Sequence, residues 1–418
     1  PLNQELAEKK SSLKTSSNEL VDLLSLLPST INKSKYGFVI NASSLHTFSP
    51  LIEKNFLALA LKQGISLNSF HSPFKDWDKS SWLQQLKKEV PQFLSSYLKK
   101  EKGILNISLT DAKALFFINH LHLLSRGNTF FKGKLYWKSD NFYPRPFFIE
   151  LYRSYNLFSP AKFKRPLFFK ELSVWRIKDT PLKIGWFLAS FADDIEDIYI
   201  NYLSSVKETA QLSDVLREER VYKILFTPTD FFLTSEKVDS YEVTAKENLI
   251  LLTPFYRPLN ARSVETFLIP SLLSNKECTS PVLKTEFSNI DGTTNSVLNS
   301  LGIIWAPREL LAVTIKSKVP FSSVEEKTIY FDKKTLLPVM KSVKGKNLSY
   351  FSFIVYEKVD FKGSEGSPYI PVLQVNISNN EMVLLIYSSY LFCKEEKEFF
   401  KVLNPKTLRE LLSSTKNS

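Results

Sequence analysis

Residues 129–178, TFFKGKLYWKSDNFYPRPFFIELYRSYNLFSPAKFKRPLFFKELSVWRIK, decide how the fold is read. The stretch holds eleven Lys or Arg against three acids, with fifteen aromatic rings among them. Pro144, Pro146, Pro160 and Pro166 cut it into pieces too short for long helices, so it reads as strands and loops. Its cations can neutralise phosphates, and its rings can stack on unpaired bases. The doublets Phe130-Phe131, Phe147-Phe148 and Phe168-Phe169 argue for another role. Neighbouring strand residues point to opposite faces, so a Phe doublet makes both faces apolar and places rings in a core. The candidate nucleic-acid contacts that remain are Lys132, Lys134, Lys138, Lys162, Lys164 and Arg165, with Tyr136 and Trp137 as stacking rings.

Charge outside this stretch sharpens the same expectation. The chain of 418 residues carries a formal +12, with +14 on residues 1–178 and −2 on the rest. Such asymmetry suggests a half that faces a polyanion and a half that does not. Hydrophobic residues at 43% and charged residues at 23% describe a chain that folds. Its length favours two domains over one. No apolar run approaches the 18 or so residues of a spanning helix.

The local pattern predicts a mixed α/β unit first. Residues 36–42 read as a strand. Ser49-Pro50 opens a helix that runs from 51 to 63 and stops at Gly64, where glycine suits a left-handed C-cap. Helices over 81–100 and 111–125 flank a strand at 104–109. Residues 184–210 read as one long helix. Beyond it come strands at 221–226, 240–245 and 249–256, then a brief helix at 295–301. A meander follows at 328–331, 336–340, 348–356, 370–377 and 382–388. Asn404-Pro405 opens a last helix through 412. The expected fold class is therefore α+β, a mixed α/β N-terminal domain followed by an antiparallel-sheet α+β C-terminal domain. The expected division is 1–30 as a flexible or short helical lead, 31–180 as the basic domain and 181–418 as the long helix with the sheet domain.

Motifs exclude more than they assign. Eleven glycines, with neither a GxxxxGK[ST] nor a GxGxxG among them, argue against phosphate-binding loops. The run Asp193-Asp194-Ile195-Glu196-Asp197 has the letters of a magnesium-diphosphate motif. On a helix, however, Asp193, Glu196 and Asp197 cluster opposite Leu188, Phe191, Ile195, Ile198 and Tyr202 and so face water. His120 and His122 would point apart on a helix, and His46 and His71 have no evident companion. Asp239, Glu242 and Lys246 depart from the tight spacing of a nuclease site. Cys278 and Cys393 are too few for a disulfide framework or a four-thiolate zinc site, and so sparse a usage fits a reducing compartment. These observations lead to an intracellular, non-catalytic nucleic-acid-binding or scaffold subunit of a nucleoprotein complex. It would need no cofactor or metal, would contact nucleic acid and other protein subunits, and would have no membrane span. The alternatives are a module docking an acidic protein or membrane surface, and a metal-dependent enzyme on nucleic acid or a phosphorylated substrate.

Overall fold

Apolar runs dense in Phe, Tyr, Ile and Val favour extended chain when their neighbours can cover both faces. The computed structural model describes residues 33–34, 37–41, 43–46, 48–69, 128–139, 146–155, 167–177, 183–191, 197–203, 208–212, 220–233, 241–254, 269, 278–279, 292–333, 335–346, 348–358, 369–393 and 397–413, and the account concerns these. Their strands are β1 (Lys33–Ser34), β2 (Gly37–Ile40), β3 (Leu67–Ser69), β4 (Asn128–Ser139), β5 (Phe147–Tyr155), β6 (Leu167–Ile177), β7 (Lys183–Phe191), β8 (Asp197–Leu203) and β9 (Glu208–Leu212). The second half adds β10 (Tyr241–Pro254), β11 (Cys278–Thr279), β12 (Ile304–Ser317), β13 (Glu326–Asp332), β14 (Pro338–Lys344), β15 (Tyr350–Lys358), β16 (Tyr369–Ile377) and β17 (Glu381–Cys393). Four α-helices accompany them: α1 (Lys54–Gln63), α2 (Thr294–Ser300), α3 (Lys397–Val402) and α4 (Pro405–Ser413).

The long strands join edge to edge in the order β10–β12–β13–β14–β15–β16–β17–β4–β5–β6–β7–β8–β9, each antiparallel to its neighbours. The chain enters the sheet's middle at β4 and grows outward to β9. It then restarts at the far edge with β10 and returns to close against β4 through β17. The short strands β1 to β3 attach beside β12 through a parallel β3–β12 pairing, and β11 pairs with the end of β17.

This sheet corrects the expected fold class. Among the described residues no mixed α/β domain precedes an α+β one; both parts belong to one antiparallel sheet. The largest single correction is the helix expected over 184–210, which is instead β7, β8 and β9. A dense apolar run fits a helical wheel and a strand buried on both faces equally well, so periodicity cannot separate them. Of the acidic run once placed on that helix, Asp197 opens β8 and the others lie outside the described residues. Residues 241–254 form one strand with a bulge between Val243 and Ala245, where two strands and a turn were expected. The helices and strand expected between 81 and 125 lie outside the described residues. Ends marked by caps fare better. Helix α1 closes on Gly64 in the left-handed conformation, and the side chain of Thr293 caps α2. The strands of the meander, from β13 to β17, also stand where expected.

Three consecutive residues show that the sheet curls. Thr229 accepts a hydrogen bond from Lys327 on β13 at 3.3 Å, and Asp230 pairs with Lys341 on β14 at 2.6 Å. Phe231 packs its ring on Trp186 of β7 at a centroid distance of 5.8 Å. In a flat sheet β13 and β7 would be about 38 Å apart, eight spacings of about 4.8 Å. Three residues and their side chains cannot bridge that span, so the sheet wraps around them. Residues 220–233 thus lie on the enclosed face. The opposite face is covered in two places. Helix α1 stacks Phe56 on Phe351 of β15 at 4.8 Å. Helices α3 and α4 bury Phe399, Leu403, Leu408, Leu411 and Leu412 against Phe130, Tyr152, Leu172, Val174 and Phe187 of β4 to β7.

Basic residues of the opening stretch hold that helix pair in place. Lys170 donates to the carbonyl of Phe400 in α3 at 2.8 Å, and Arg176 donates to the carbonyl of Leu411 in α4 at 3.0 Å. Cations at helix C-termini satisfy carbonyls left without helical partners and complement the helix dipole. Burial lowers the Lys170 ammonium to about 8 from an ordinary 10.5. Below pH 8 the lysine is protonated in both states, and the folded chain bears the whole desolvation cost. Between pH 8 and 10.5 the unfolded chain holds more of the proton, so stability rises with pH. Paired thermal melts should show the wild type gaining on Lys170→Met across this window. A flat difference would mean that the ammonium is not desolvated by the helix pair.

Candidate functional site: the enclosed segment

Residues 220–233, RVYKILFTPTDFFL, contain one acid, Asp230, which is the single charged residue after Lys223. Two short 3-10 turns, Val221–Lys223 and Pro228–Leu233, replace the strand expected at 221–226. Pro228, flanked by Thr227 and Thr229, favours such turns over a strand. Lys223 and Leu233 both adopt left-handed backbone, with φ of 65° and 58°. This conformation costs an L residue roughly 1–2 kcal/mol, so the segment is held by its surroundings.

Those surroundings divide into a polar and an aromatic half. The polar half centres on the Asp230 carboxylate, which is fully buried. One oxygen meets Lys341 Nζ at 2.6 Å and accepts from the Tyr350 hydroxyl at 2.8 Å. The other accepts from the Thr227 N–H at 2.8 Å and from Asn376 Nδ2 at 3.2 Å. Asn376 also donates to the Leu225 carbonyl and accepts from Ser352. Gln374 donates to the Asp230 carbonyl at 2.7 Å and accepts from Tyr387 at 3.0 Å. Lys341, on β14, is as buried as its partner. A charge removed from water is tolerated only when its remaining lone pairs and protons are also satisfied, and the Asp230 carboxylate meets that condition with four partners.

The aromatic half lies over β4, β6 and β7. Phe231 packs edge-on against Phe131 at 5.7 Å, Trp175 at 6.1 Å and Phe226 at 5.0 Å. Trp175 and Trp186 lie 5.5 Å apart and are essentially unexposed. Next to them Glu171 accepts from Arg153 at 2.7 Å and from Trp186 Nε1 at 3.1 Å. The enclosed space therefore offers hydrogen-bond donors for an anion on one side and ring surface for an apolar body on the other. Asp230 and Phe231, adjacent in sequence, occupy both.

The residues singled out from sequence occupy a different place. Lys132, Lys134, Tyr136 and Lys138 share one face of β4, while Trp137 points to the other. Lys132 pairs with Glu150 at 3.4 Å, and Lys134 lies over the Phe148 ring at 5.8 Å. Tyr136 and Trp137 pack against the main core, and burial pushes the Tyr136 hydroxyl above its usual range. Lys162, Lys164 and Arg165 lie outside the described residues. The structure brings the first group together on one strand and leaves its relation to the second undescribed. Residues that sequence reasoning missed are Asp230, Lys341, Tyr350, Gln374 and Asn376. The available signal was the lone acid in an apolar run. Among the described residues no cluster of His, Cys, Asp and Glu fits a metal ion, and no helix is long and apolar enough to cross a membrane.

Cys278 and Cys393 are joined in a disulfide that ties β11 to the end of β17. This corrects the intracellular placement, which rested on thiols in a reducing compartment.

The chain matches no protein-family model and no curated protein. It is similar to several solved structures, three of which follow. The first is an outer membrane lipoprotein-sorting protein domain from Vibrio parahaemolyticus, at 10% identity and a TM-score of 0.43, covering 72% of this chain and 100% of that one. A DUF1329 family protein from Desulfovibrio piger is similar at 11% identity and 0.43, over 72% and 98% of the two chains. A LolA superfamily protein from Nitrosomonas europaea is similar at 8% and 0.37, over 71% and 98%.

The placement of the rings and cations corrects the nucleoprotein reading, with nucleic acid as partner. In this chain the two rings read as stacking platforms, Tyr136 and Trp137, pack against the core, and the neighbouring Phe130, Phe131, Phe147, Tyr152 and Trp175 are buried. Of the cations read as phosphate contacts, Lys132 is paired with Glu150, and other basic residues of the same stretch, Arg153, Lys170 and Arg176, are engaged with Glu171 or helix carbonyls. Composition counted those groups correctly but could not show which way they point.

Removing the Asp230 charge should be costly, because Lys341 would remain buried without its counter-charge. Asp230→Asn is expected to destabilise the chain by roughly 3–5 kcal/mol in urea unfolding. A loss under about 1 kcal/mol would show that the pair is not desolvated.

Proposed function

We propose that this chain binds an amphiphile with an anionic head and an acyl or similar apolar tail, in an oxidising, extracytoplasmic compartment. The carrying observation is the division of the enclosed space. Lys341, Tyr350 and Asn376 converge on a carboxylate, and Phe131, Trp175 and Trp186 form an apolar slot beside it. Asp230 and Phe231 fill these positions as an internal stand-in for head and tail. A ligand would enter by displacing residues 220–233, whose left-handed ends at Lys223 and Leu233 favour release. Among the similar structures, one is described as a lipoprotein-sorting protein domain, which agrees with a lipidic ligand. The Cys278–Cys393 disulfide supports the compartment.

Displacement of a fluorescent fatty-acid probe by palmitate and by hexadecanol tests the reading. The wild type should prefer palmitate, because only a carboxylate can use the Asp230 receptor. Tyr350→Phe removes one donor to the anion and should lower that preference by about tenfold, the worth of a charge-assisted hydrogen bond. Absence of displaceable probe binding, or equal preference in both proteins, would sink the proposal.

A further inference from the structure

The hairpin between β12 and β13 carries Ser317-Lys318-Val319-Pro320-Phe321-Ser322-Ser323-Val324-Glu325. Phe321 is 98% exposed, whereas the other exposed large apolar residue among the described ones, Phe148, is only 38% exposed and lies beside Lys134. Phe321 also adopts left-handed backbone at φ 64°, a conformation that disfavours an L residue with a bulky side chain. The tip is nevertheless well built. Ser322 N–H donates to the Val319 carbonyl at 3.3 Å, and the Ser317 and Ser322 hydroxyls accept from the amides of Val319 and Val324. Its base is fixed to the neighbouring turn, because Glu325 N–H donates to the Lys344 carbonyl at 2.9 Å. Gly345 approaches so closely that an added Cβ would lie 2.0 Å from the Ser323 carbonyl oxygen. A ring thus stands in water on a fixed, conformationally unfavourable support.

We infer that this tip inserts Phe321 into the interfacial region of a phospholipid bilayer. Two arguments favour a bilayer over a protein partner. A stable protein interface buries about 800 Å² per partner, while one aromatic ring at a hairpin tip supplies roughly 150–250 Å². Shallow insertion needs only an apolar wedge with cations that can stay at headgroup level. Pro320 extends the wedge, and Lys318 and Lys346 are exposed beside it, with Glu325 as the acid at that level. One rung below, Lys316 and Lys344 oppose Glu326, and Glu242 opposes Lys316, so that row adds no net charge. The wedge supplies most of the attraction and the two outer lysines a modest preference for anionic lipid. This inference does not depend on the ligand proposed for the enclosed face.

Flotation of the full chain with vesicles of phosphatidylcholine and phosphatidylglycerol tests it. The wild type should float with the vesicles. Phe321→Gly should reduce the bound fraction by roughly tenfold while its melting temperature stays level or rises, because glycine relieves the left-handed backbone. Phe321→Trp should retain binding. The double variant Lys318→Glu/Lys346→Glu should lose more affinity for the mixed vesicles than for pure phosphatidylcholine. Failure of the wild type to float at low salt, or equal binding by Phe321→Gly, would overturn the inference.

Discussion

The buried carboxylate of Asp230, met by Lys341, Tyr350, Asn376 and the Thr227 amide, fixes residues 220–233 inside the sheet. A sheet of many strands exposes an apolar face that must be covered, and this one covers it by curling around a piece of its own chain. The polar cluster sets where the segment sits along β13 to β16. The Phe231 ring then sets how closely β4, β6 and β7 approach from the other side. Weaken the polar cluster and both halves lose their common reference.

The same arrangement explains why so much charge lies in the interior. Lys327, Lys341, Asp230, Arg153 and Glu171 are all buried, and the ion pairs and hydrogen bonds around them lie on the enclosed face. Hydrophobic side chains would stabilise such a core with less desolvation. A receptor for an anionic head beside an apolar slot gives those groups a use that packing alone does not. On the other face the burden is simpler. Helices α3 and α4 bring apolar residues, and Lys170 and Arg176 complete their terminal carbonyls.

Local chemistry was readable in the sequence wherever a single residue type dictates backbone geometry. Gly64 after α1, Asn404-Pro405 before α4 and the polar turns of the meander marked real ends. The Phe130-Phe131 doublet marked a strand with two apolar faces, whereas in Phe147-Phe148 only the first ring is buried. The stretch 184–210 was misread because its opening residues, 184–188, are buried on both sides of the strand, which erases the alternation that identifies a strand. The candidate site was almost illegible. Asp230 and its partners on β14, β15 and β16 are separated by more than a hundred residues, and only the curl of the sheet brings them together. Net charge drew attention to residues 129–178, yet many of its groups serve the core and the helix pair.

Hydrogen–deuterium exchange with and without palmitate tests the central claim, that residues 220–233 occupy a ligand's place, most directly. The account predicts that amides of 221–233 lose protection when palmitate binds, while β13 to β17 keep theirs. Protection of 221–233 that matches the strands with palmitate bound would contradict it, and would make the segment a permanent part of the core.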